Sequence, residues 1–226
     1  VEQGFYDYAF AKPKTIRSKK MRKVIYSMLV SLDGFIEGPN RELDWHIIDE
    51  ELHTFINNQL SEFDTYLYGR RMYEVMTYWE TADMNPSSPE YELEFARIWK
   101  KTPKVVFSKT LERVQGNARL VRDNIAEEVT KLKAQPGKNM DLGGPTIAST
   151  FMRLGLIDEY RLFIQPVVLG SGTPFFPALD DKINLRLVET RTFGSGVVYL
   201  RYQCTDVGQE RLHHDRYGDK QQEASS

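Results

Sequence analysis

The sequence predicts one α/β domain with a mostly parallel sheet and an antiparallel hairpin at its end. Three observations predict it. Short apolar runs of strand length alternate along the chain with helical stripes, the pattern of βα units stacked into a sheet. The stretch MDLGGPTIASTFMRLG (Met140 to Gly155) reads as strand, diglycine turn and helix, with Pro145 at the first helical position and Gly155 just past the end. Near the end of the sequence, Gly194-Ser195-Gly196 separates two alternating segments and so closes a hairpin.

The elements follow in order. Val24 to Ser31 (VIYSMLVS) is a continuous apolar run, as expected of a strand buried on both faces, and Asp33-Gly34 and Gly38-Pro39-Asn40 make the loop after it turn-rich. Asp49 to Phe63 carries Leu52, Phe55, Ile56 and Leu60 at helical spacing, with acids in the first turn where they complement the helix dipole. Thr65 to Tyr68 is a short strand, Arg70 to Trp79 a helix, Asn85 to Pro89 a loop and Tyr91 to Trp99 a further helix. Lys104 to Phe107 and Arg119 to Val121 read as strands, and Ile125 to Leu132 as a helix. Tyr160 to Leu169 reads as a long strand in which Pro166 predicts a bulge or an edge. Leu185 to Thr192 and Val197 to Tyr202 form the hairpin.

The ends have a different character. Residues 1–20 read as an extension in which Asp7 interrupts the aromatic residues, so it lacks the apolar core of a signal peptide. MRKVIYSM from Met21 reads as a natural beginning, the domain as residues 21–203, and residues 204–226 as a polar tail, disordered or loosely attached. A net charge of -2 with interspersed signs offers no field for nucleic acid or an anionic membrane. No apolar run approaches the roughly 18–20 residues of a membrane span. The single cysteine, Cys204, rules out an intramolecular disulfide and fits a reducing cytoplasm. No metal site is expected: His46 and His53 lack partners at ligand spacing, and His213-His214 sits in the polar tail.

Three strand ends share one chemical character. At Gly143-Gly144-Pro145-Thr146-Ile147 the absent side chains let a ligand approach the backbone, and the helix start favours an anion; the same residues also suit a plain tight turn. Tyr68-Gly69-Arg70-Arg71-Met72 opens a helix without a capping side chain and with two arginines in its first turn. That arrangement opposes the dipole by roughly 0.3–1 kcal/mol per charge, unless an anion binds there or the guanidiniums swing into solvent. Ser108-Lys109-Thr110 follows the next strand and reads as a phosphate contact or a solvated turn. Ligands of α/β sheets collect outside the carboxyl ends of strands, and a dinucleotide would use all three places. The G-x-G-x-x-G fingerprint and the P-loop are both absent.

The blocks SLDGFIEGP, LDW, YGRRMYE, VVFSKTL and LGGPTIASTFMRLGLIDEYRLFIQPVVLGSGTPFF occur in that order. Together they resemble the dihydrofolate-reductase-like family that includes the C-terminal reductase domain of the riboflavin-biosynthesis protein RibD, over about Met21 to Gln203. The resemblance implies a central mixed sheet with flanking helices and NADPH as hydride donor. It implies that Gly69, Arg70 and Arg71 meet cofactor phosphate, that Ser108 and Lys109 lie near the adenosine 2′-phosphate, and that Gly143 to Ile147 cradle the pyrophosphate. Met72 stands where the family usually has threonine, so one hydroxyl contact is missing. A cis peptide at Gly143–Gly144 is also implied.

The substrate end follows from the same resemblance. In the dihydrofolate reductases a loop tryptophan precedes a helix whose first turn carries a carboxylate facing the pterin; here Trp45 precedes Asp49-Glu50-Glu51. A carboxylate can take two hydrogen bonds from an aminopyrimidine edge. Asp49 equally suits an N-cap. Glu51 lies four residues before Phe55, on its apolar face, where desolvation would raise its pKa, so Glu51 is the expected proton-delivering residue and Asp33 the second candidate. Arg41 is the basic residue available to a phosphoribosyl group. The reading is an NADPH-dependent reductase of a small pyrimidine or pteridine, forming a homodimer, with dihydrofolate reduction and non-catalytic nucleotide binding as alternatives. The zinc deaminase half of the bifunctional riboflavin protein needs P-C-x-x-C, which one cysteine cannot supply.

Overall fold

The structure is a computed structural model that describes residues 21–85 and 87–205; the predicted N-terminal extension and nearly all of the polar tail, including His213-His214, lie outside the described residues. Ten strands and five α-helices follow one another: β1 (Val24–Ser31), β2 (Phe35–Glu37), α1 (Glu50–Leu60), β3 (Phe63–Gly69), α2 (Arg70–Met76), α3 (Glu90–Lys101), β4 (Lys104–Phe107), β5 (Ala118–Val121), α4 (Ile125–Ala134), β6 (Asn139–Gly143), α5 (Pro145–Arg153), β7 (Glu159–Gln165), β8 (Thr173–Pro174), β9 (Leu185–Thr192) and β10 (Val198–Cys204). Eight of the strands form one sheet in the order β5-β4-β3-β6-β1-β7-β10-β9. Every pairing from β5 to β7 is parallel, and β10 alone runs opposite to the other seven strands. The short strands β2 and β8, which have no sequence signal of their own, pair separately across the end of β1.

Side chains alternate across the sheet and so feed two cores. Val24, Tyr26, Leu67, Val105, Met140 and Leu142 face α4 and α5; Ile25, Tyr66, Tyr68 and Val106 face the opposite layer, where Trp99 of α3 is fully buried. A third cluster joins Leu52 of α1 to Phe163 of β7 and to Phe193, Val197 and Tyr199 of the closing hairpin. Helix α5 shows how local signals set an element. Pro145 opens it, Ile147, Ala148, Phe151 and Met152 form its buried face, and Gly155 closes it at φ 59°. There Leu156 N–H bonds to Phe151 O at 2.9 Å and Gly155 N–H to Met152 O at 3.0 Å, the paired bonds of a Schellman end.

Two details depart from expectation. The strand expected to run to Leu169 ends at Gln165, and Pro166 neither bulges it nor marks an edge, since β7 lies between β1 and β10. Proline has no N–H to give the ladder, so the strand stops just before it. The helix expected from Asp49 starts at Glu50, with Asp49 as its N-cap: the carboxylate accepts Leu52 N–H at 2.9 Å. Among the described residues no helix is long and apolar enough to cross a membrane.

Candidate functional site

Parallel strands put their carboxyl ends on one side, and the register shows which residues meet there. Gly69 lies beside Phe107, Tyr68 beside Gly143, and Phe107 beside Val121. Strand β1 pairs with β6 only from Val24 to Tyr26, but with β7 all the way to Ser31, which faces Gln165. The sheet therefore opens between β1 and β6 at its carboxyl edge. That is the switch point where α/β sheets take their ligands.

Two helix starts converge on this opening. Both α2 and α5 have glycine at the N-cap, Gly69 and Gly144, and neither has a side-chain cap bond. A β-carbon on Gly69 would lie 3.3 Å from Ile147 Cβ, one on Gly144 would lie 2.9 Å from Met72 Cβ, and one on Gly143 would lie 2.9 Å from the Tyr68 ring. The glycines thus let the two helix starts pack together. Gly144 also has φ 101°, a conformation that favours glycine. Among the described residues no peptide bond is cis, so the cis form expected at Gly143–Gly144 is corrected: the left-handed φ of Gly144 turns the chain with a trans bond.

The two arginines find partners within the protein. Arg70 donates to Glu74 at 2.7 Å and to the Thr110 hydroxyl at 3.2 Å, which links the α2 start to the end of β4. Arg71 makes a two-pronged contact with Glu37 of β2 at 2.7 and 2.5 Å, and the Thr173 hydroxyl of β8 donates to the same carboxylate at 2.7 Å. Burial works against the charge on Glu37, but Arg71 and Thr173 outweigh it and hold its carboxyl below the usual value. Glu37 therefore relieves the conflict between Arg71 and the α2 dipole from within the chain. Ser108 Oγ accepts the N–H groups of Thr110 and Leu111 at 3.2 and 3.0 Å, and Lys109 is exposed 3.8 Å from Asp123. Gly69, Arg70, Met72, Thr110 and Gly143 to Ile147 thus stand together, with Ser108 and Lys109 on the adjoining turn and Arg71 turned toward β2.

The acidic candidates are placed differently from expectation. Glu51 is half-exposed; its carboxylate accepts Gly194 N–H at 3.1 Å and pairs with Arg191 at 2.9 Å. The Gly194 bond first, and Arg191 second, push its pKa down, not up. Glu51 therefore faces the closing hairpin, where it lines an open groove of about 470 Å³ with Glu50, Thr54, Phe55, Asn58 and Arg191. The i, i+4 spacing to Phe55 was real, but Phe55 itself packs on that hairpin, against Phe193 and Tyr199. Asp33 is likewise held below its usual pKa, first by the Ser31 hydroxyl, and it accepts the N–H groups of Leu169 and Gly170 at 3.1 and 2.7 Å, tying two loops together. Arg41, at φ 72°, contributes positive potential at Glu37.

The loop from β2 to α1 holds the expected Trp45, and beside it lie two residues without an expected role, His46 and, at the end of β7, Gln165. Trp45 donates to Glu42 O at 3.0 Å, and its ring meets the His46 ring edge-on at 4.2 Å between centroids. Burial depresses the His46 pKa, with the Ile36 main chain opposing the shift, and Nε2 is buried with no partner. Gln165, fully buried at the end of β7, accepts Ile47 N–H on Oε1 at 2.9 Å, and its Nε2 is buried with no partner. The signal for Gln165 was its place directly before Pro166, at a strand end; His46 has no sequence signal beyond its position next to Trp45.

With this geometry in hand, the likenesses to known proteins fall into place. The family model of the RibD C-terminal domain matches residues 22–199. The protein YyaP of Bacillus subtilis (strain 168) is 44% identical over 184 residues, covering 81% of this chain and 95% of that one. Among solved structures, a putative riboflavin biosynthesis protein from Shewanella sp. PV-4 superposes with a TM-score of 0.65 at 21% identity, over 81% of this chain and 99% of that one. Dihydrofolate reductase from Enterococcus faecalis, solved with NADP(H) and RAB-propyl, gives 0.55 at 15% identity, over 81% and 97%. The mostly parallel sheet split at its first strand, the helix starts gathered at the split and the match across nearly the whole described chain lead to one conclusion: the protein belongs to the RibD C-terminal domain family and has the dihydrofolate-reductase-like fold.

Proposed function

We propose that the protein is an NADPH-dependent reductase of a pyrimidine or pteridine ring, similar in kind to the reductase of riboflavin biosynthesis. The observation that carries the reading is the meeting of two glycine-capped helix starts, α2 and α5, at the opening between β1 and β6. Backbone N–H groups of a helix start suit phosphate oxygens, and two starts side by side suit a pyrophosphate. The residues fit the cofactor: Gly69 and Gly143 to Ile147 would hold the pyrophosphate. Arg70, Ser108, Lys109 and Thr110 would meet the 2′-phosphate, being joined through the Arg70–Thr110 bond. Arg71 would brace this seat through Glu37, and Met72 packs beneath Gly144 in place of a hydroxyl contact. The bound cofactor would supply a hydride; the chain's own part is to hold the ring against the split and exclude water.

Fluorescence titration tests the reading. NADPH is expected to bind at least tenfold tighter than NADH, about 1.4 kcal/mol; equal affinities overturn the cofactor assignment. NADPH oxidation with a panel of pteridines, dihydrofolate and the ribosylaminopyrimidine then separates the reductase from a nucleotide-binding protein, which would bind and turn nothing over.

A further inference from the structure

Charge is shared unevenly along the carboxyl edge of the sheet. On the β3–β4 side stand Arg70 and Arg71, at the start of α2, and Lys109, on the turn after β4. The β1–β7 side is built differently. Residues 32–49, between β1 and α1, hold five acids, Asp33, Glu37, Glu42, Asp44 and Asp49, against one base, Arg41. Residues 166–176, which follow β7, hold no charged side chain. Two of the acids are held ionised. The Ser31 hydroxyl first, with the N–H groups of Gly170 and Leu169, lowers the Asp33 pKa, and the main chain of Glu42 itself, with Asn40, lowers that of Glu42. A phosphate brought to this side enters a region of its own sign.

The same loops expose apolar side chains among those acids. Leu32 and Val168 are 66% and 65% exposed, and Leu43, Ile47 and Ile48 are exposed as well. Hydrogen bonds gather three of them at the ends of β1 and β7. Leu32 N–H donates to Val167 O at 2.8 Å, and Asp33 accepts the N–H groups of Leu169 and Gly170, just past Val168. Ile47 N–H donates to Gln165 Oε1 at 2.9 Å, and Gln165 faces Ser31 in the ladder. Gln165 is fully buried and its Nε2 has no partner, so a polar atom is wanted where these apolar residues meet. An apolar lip at a place where sheets of this kind take ligands marks a surface that a ligand covers.

We propose that Leu32, Ile47 and Val168 are specificity-determining residues of the substrate end, and that they select a ring carrying an uncharged, apolar substituent and no phosphate. This deepens the reductase reading and rests on it. The two sides of the edge divide the work by charge. The basic side takes the phosphates of the cofactor, and the acidic, apolar side takes a ring that brings none. A phosphoribosyl group is refused twice: its phosphate is repelled by ionised acids, and its sugar leaves Leu32 and Val168 in water. Arg41, the base expected to serve such a group, acts instead on Glu37, whose carboxylate already binds Arg71 and Thr173.

Calorimetric titration of the full chain, with and without NADP⁺, uses three probes that share one ring: 6-phenylpterin, 6-hydroxymethylpterin and 6-hydroxymethylpterin phosphate. The phenyl compound is expected to bind about tenfold or more tighter than the hydroxymethyl one, and the phosphate about tenfold or more weaker. Added salt should narrow the second gap and leave the first. Val168→Lys changes an exposed side chain, so it should weaken 6-phenylpterin about tenfold and strengthen the phosphate. Circular dichroism melts report folding, and Leu32→Lys serves if Val168→Lys does not fold. Equal or tighter binding of the phosphate by the wild type, an unchanged order in a folded variant, or failure of all three probes to bind overturns the proposal. So does a Val168→Lys that lowers the mass in light scattering and leaves the order unchanged, because a second copy then covers the lip. NADPH titration of the same samples separates the two readings: tight NADPH with no preference among the probes defeats the substituent alone, and absent NADPH binding defeats the reductase.

Discussion

Single residues in this protein are governed by what the fold leaves for them to bond. Asp141 on β6 sits between Ile25 and Tyr66 in the ladder, with Oδ1 buried and unpartnered. Burial raises its pKa to about 7, against the opposing pull of Arg161. The folded value lies above that of an unfolded aspartate, so the native state holds the proton more tightly. The stability this contributes is complete below about pH 4 and is lost as the pH rises toward 7. Asp141→Asn removes the dependence: urea unfolding should show the variant more stable than wild type by about 4 kcal/mol at pH 8 and nearly equal to it at pH 4. A constant difference across that range would show that Asp141 does not titrate there. Glu51 is the contrasting case. Its carboxylate is exposed and satisfied by Gly194 and Arg191, so it stays ionised and braces the hairpin turn.

At the scale of elements, the βα turn at Gly143-Gly144 does two jobs. It stops β6 beside Tyr68, and it starts α5 so close to α2 that a β-carbon on Gly69 would lie 3.3 Å from Ile147 Cβ. Gly144→Val places a branched side chain at φ 101° and within 2.9 Å of Met72 Cβ. Backbone strain of this kind costs on the order of 1–3 kcal/mol. Denaturant unfolding should register a loss of that size with the fold retained, while NADPH titration should show at least tenfold weaker binding. Loss of stability with full affinity would mean that the turn is architectural and the phosphate seat lies elsewhere. The α2 start was read as an arginine pair facing either an anion or solvent. In the structure Arg71 is braced within the chain, because β2, which has only three residues, carries Glu37 to within bonding distance of it.

For the whole molecule, the open question is association. The sheet ends in β9, an eight-residue strand whose Leu187 and Val188 are 48% and 39% exposed. Its ladder with β10 skips Val188, since Arg201 pairs with Glu189 and Tyr202 with Leu187. A bulge at a sheet edge hinders continuation of the ladder into another chain. The homodimer expected from the sequence, were it two-fold through the C-terminal strands, would therefore use the faces of the hairpin rather than edge-to-edge pairing. Light scattering at micromolar concentration should give about twice the 26.3 kDa chain mass, and Leu187→Glu should return it toward one chain. A monomer mass for the wild type would refute the dimer.

The division between what was legible and what was not follows the range of the forces involved. Periodicity and punctuation are local, so VIYSMLVS, KVVF and the Pro145-to-Gly155 helix could be read from their own residues, and the resemblance extended them to the family and its cofactor seat. The sequence by itself determined the eight strands of the main sheet and the helix starts at Gly69 and Gly144, and hence the side of the sheet on which a ligand is proposed. Tertiary structure alone decided which charges meet. Glu37 reaches Arg71 across 34 positions, Glu51 reaches Arg191 across 140, and Gln165 meets Ile47 across 118. Such pairs carry no periodic signal, because a side chain's partner is set by the packing of whole elements. Helix α1 leans its carboxylates toward the hairpin rather than the split since Leu52, Phe55 and Ile56 bury against Phe163, Phe193 and Tyr199.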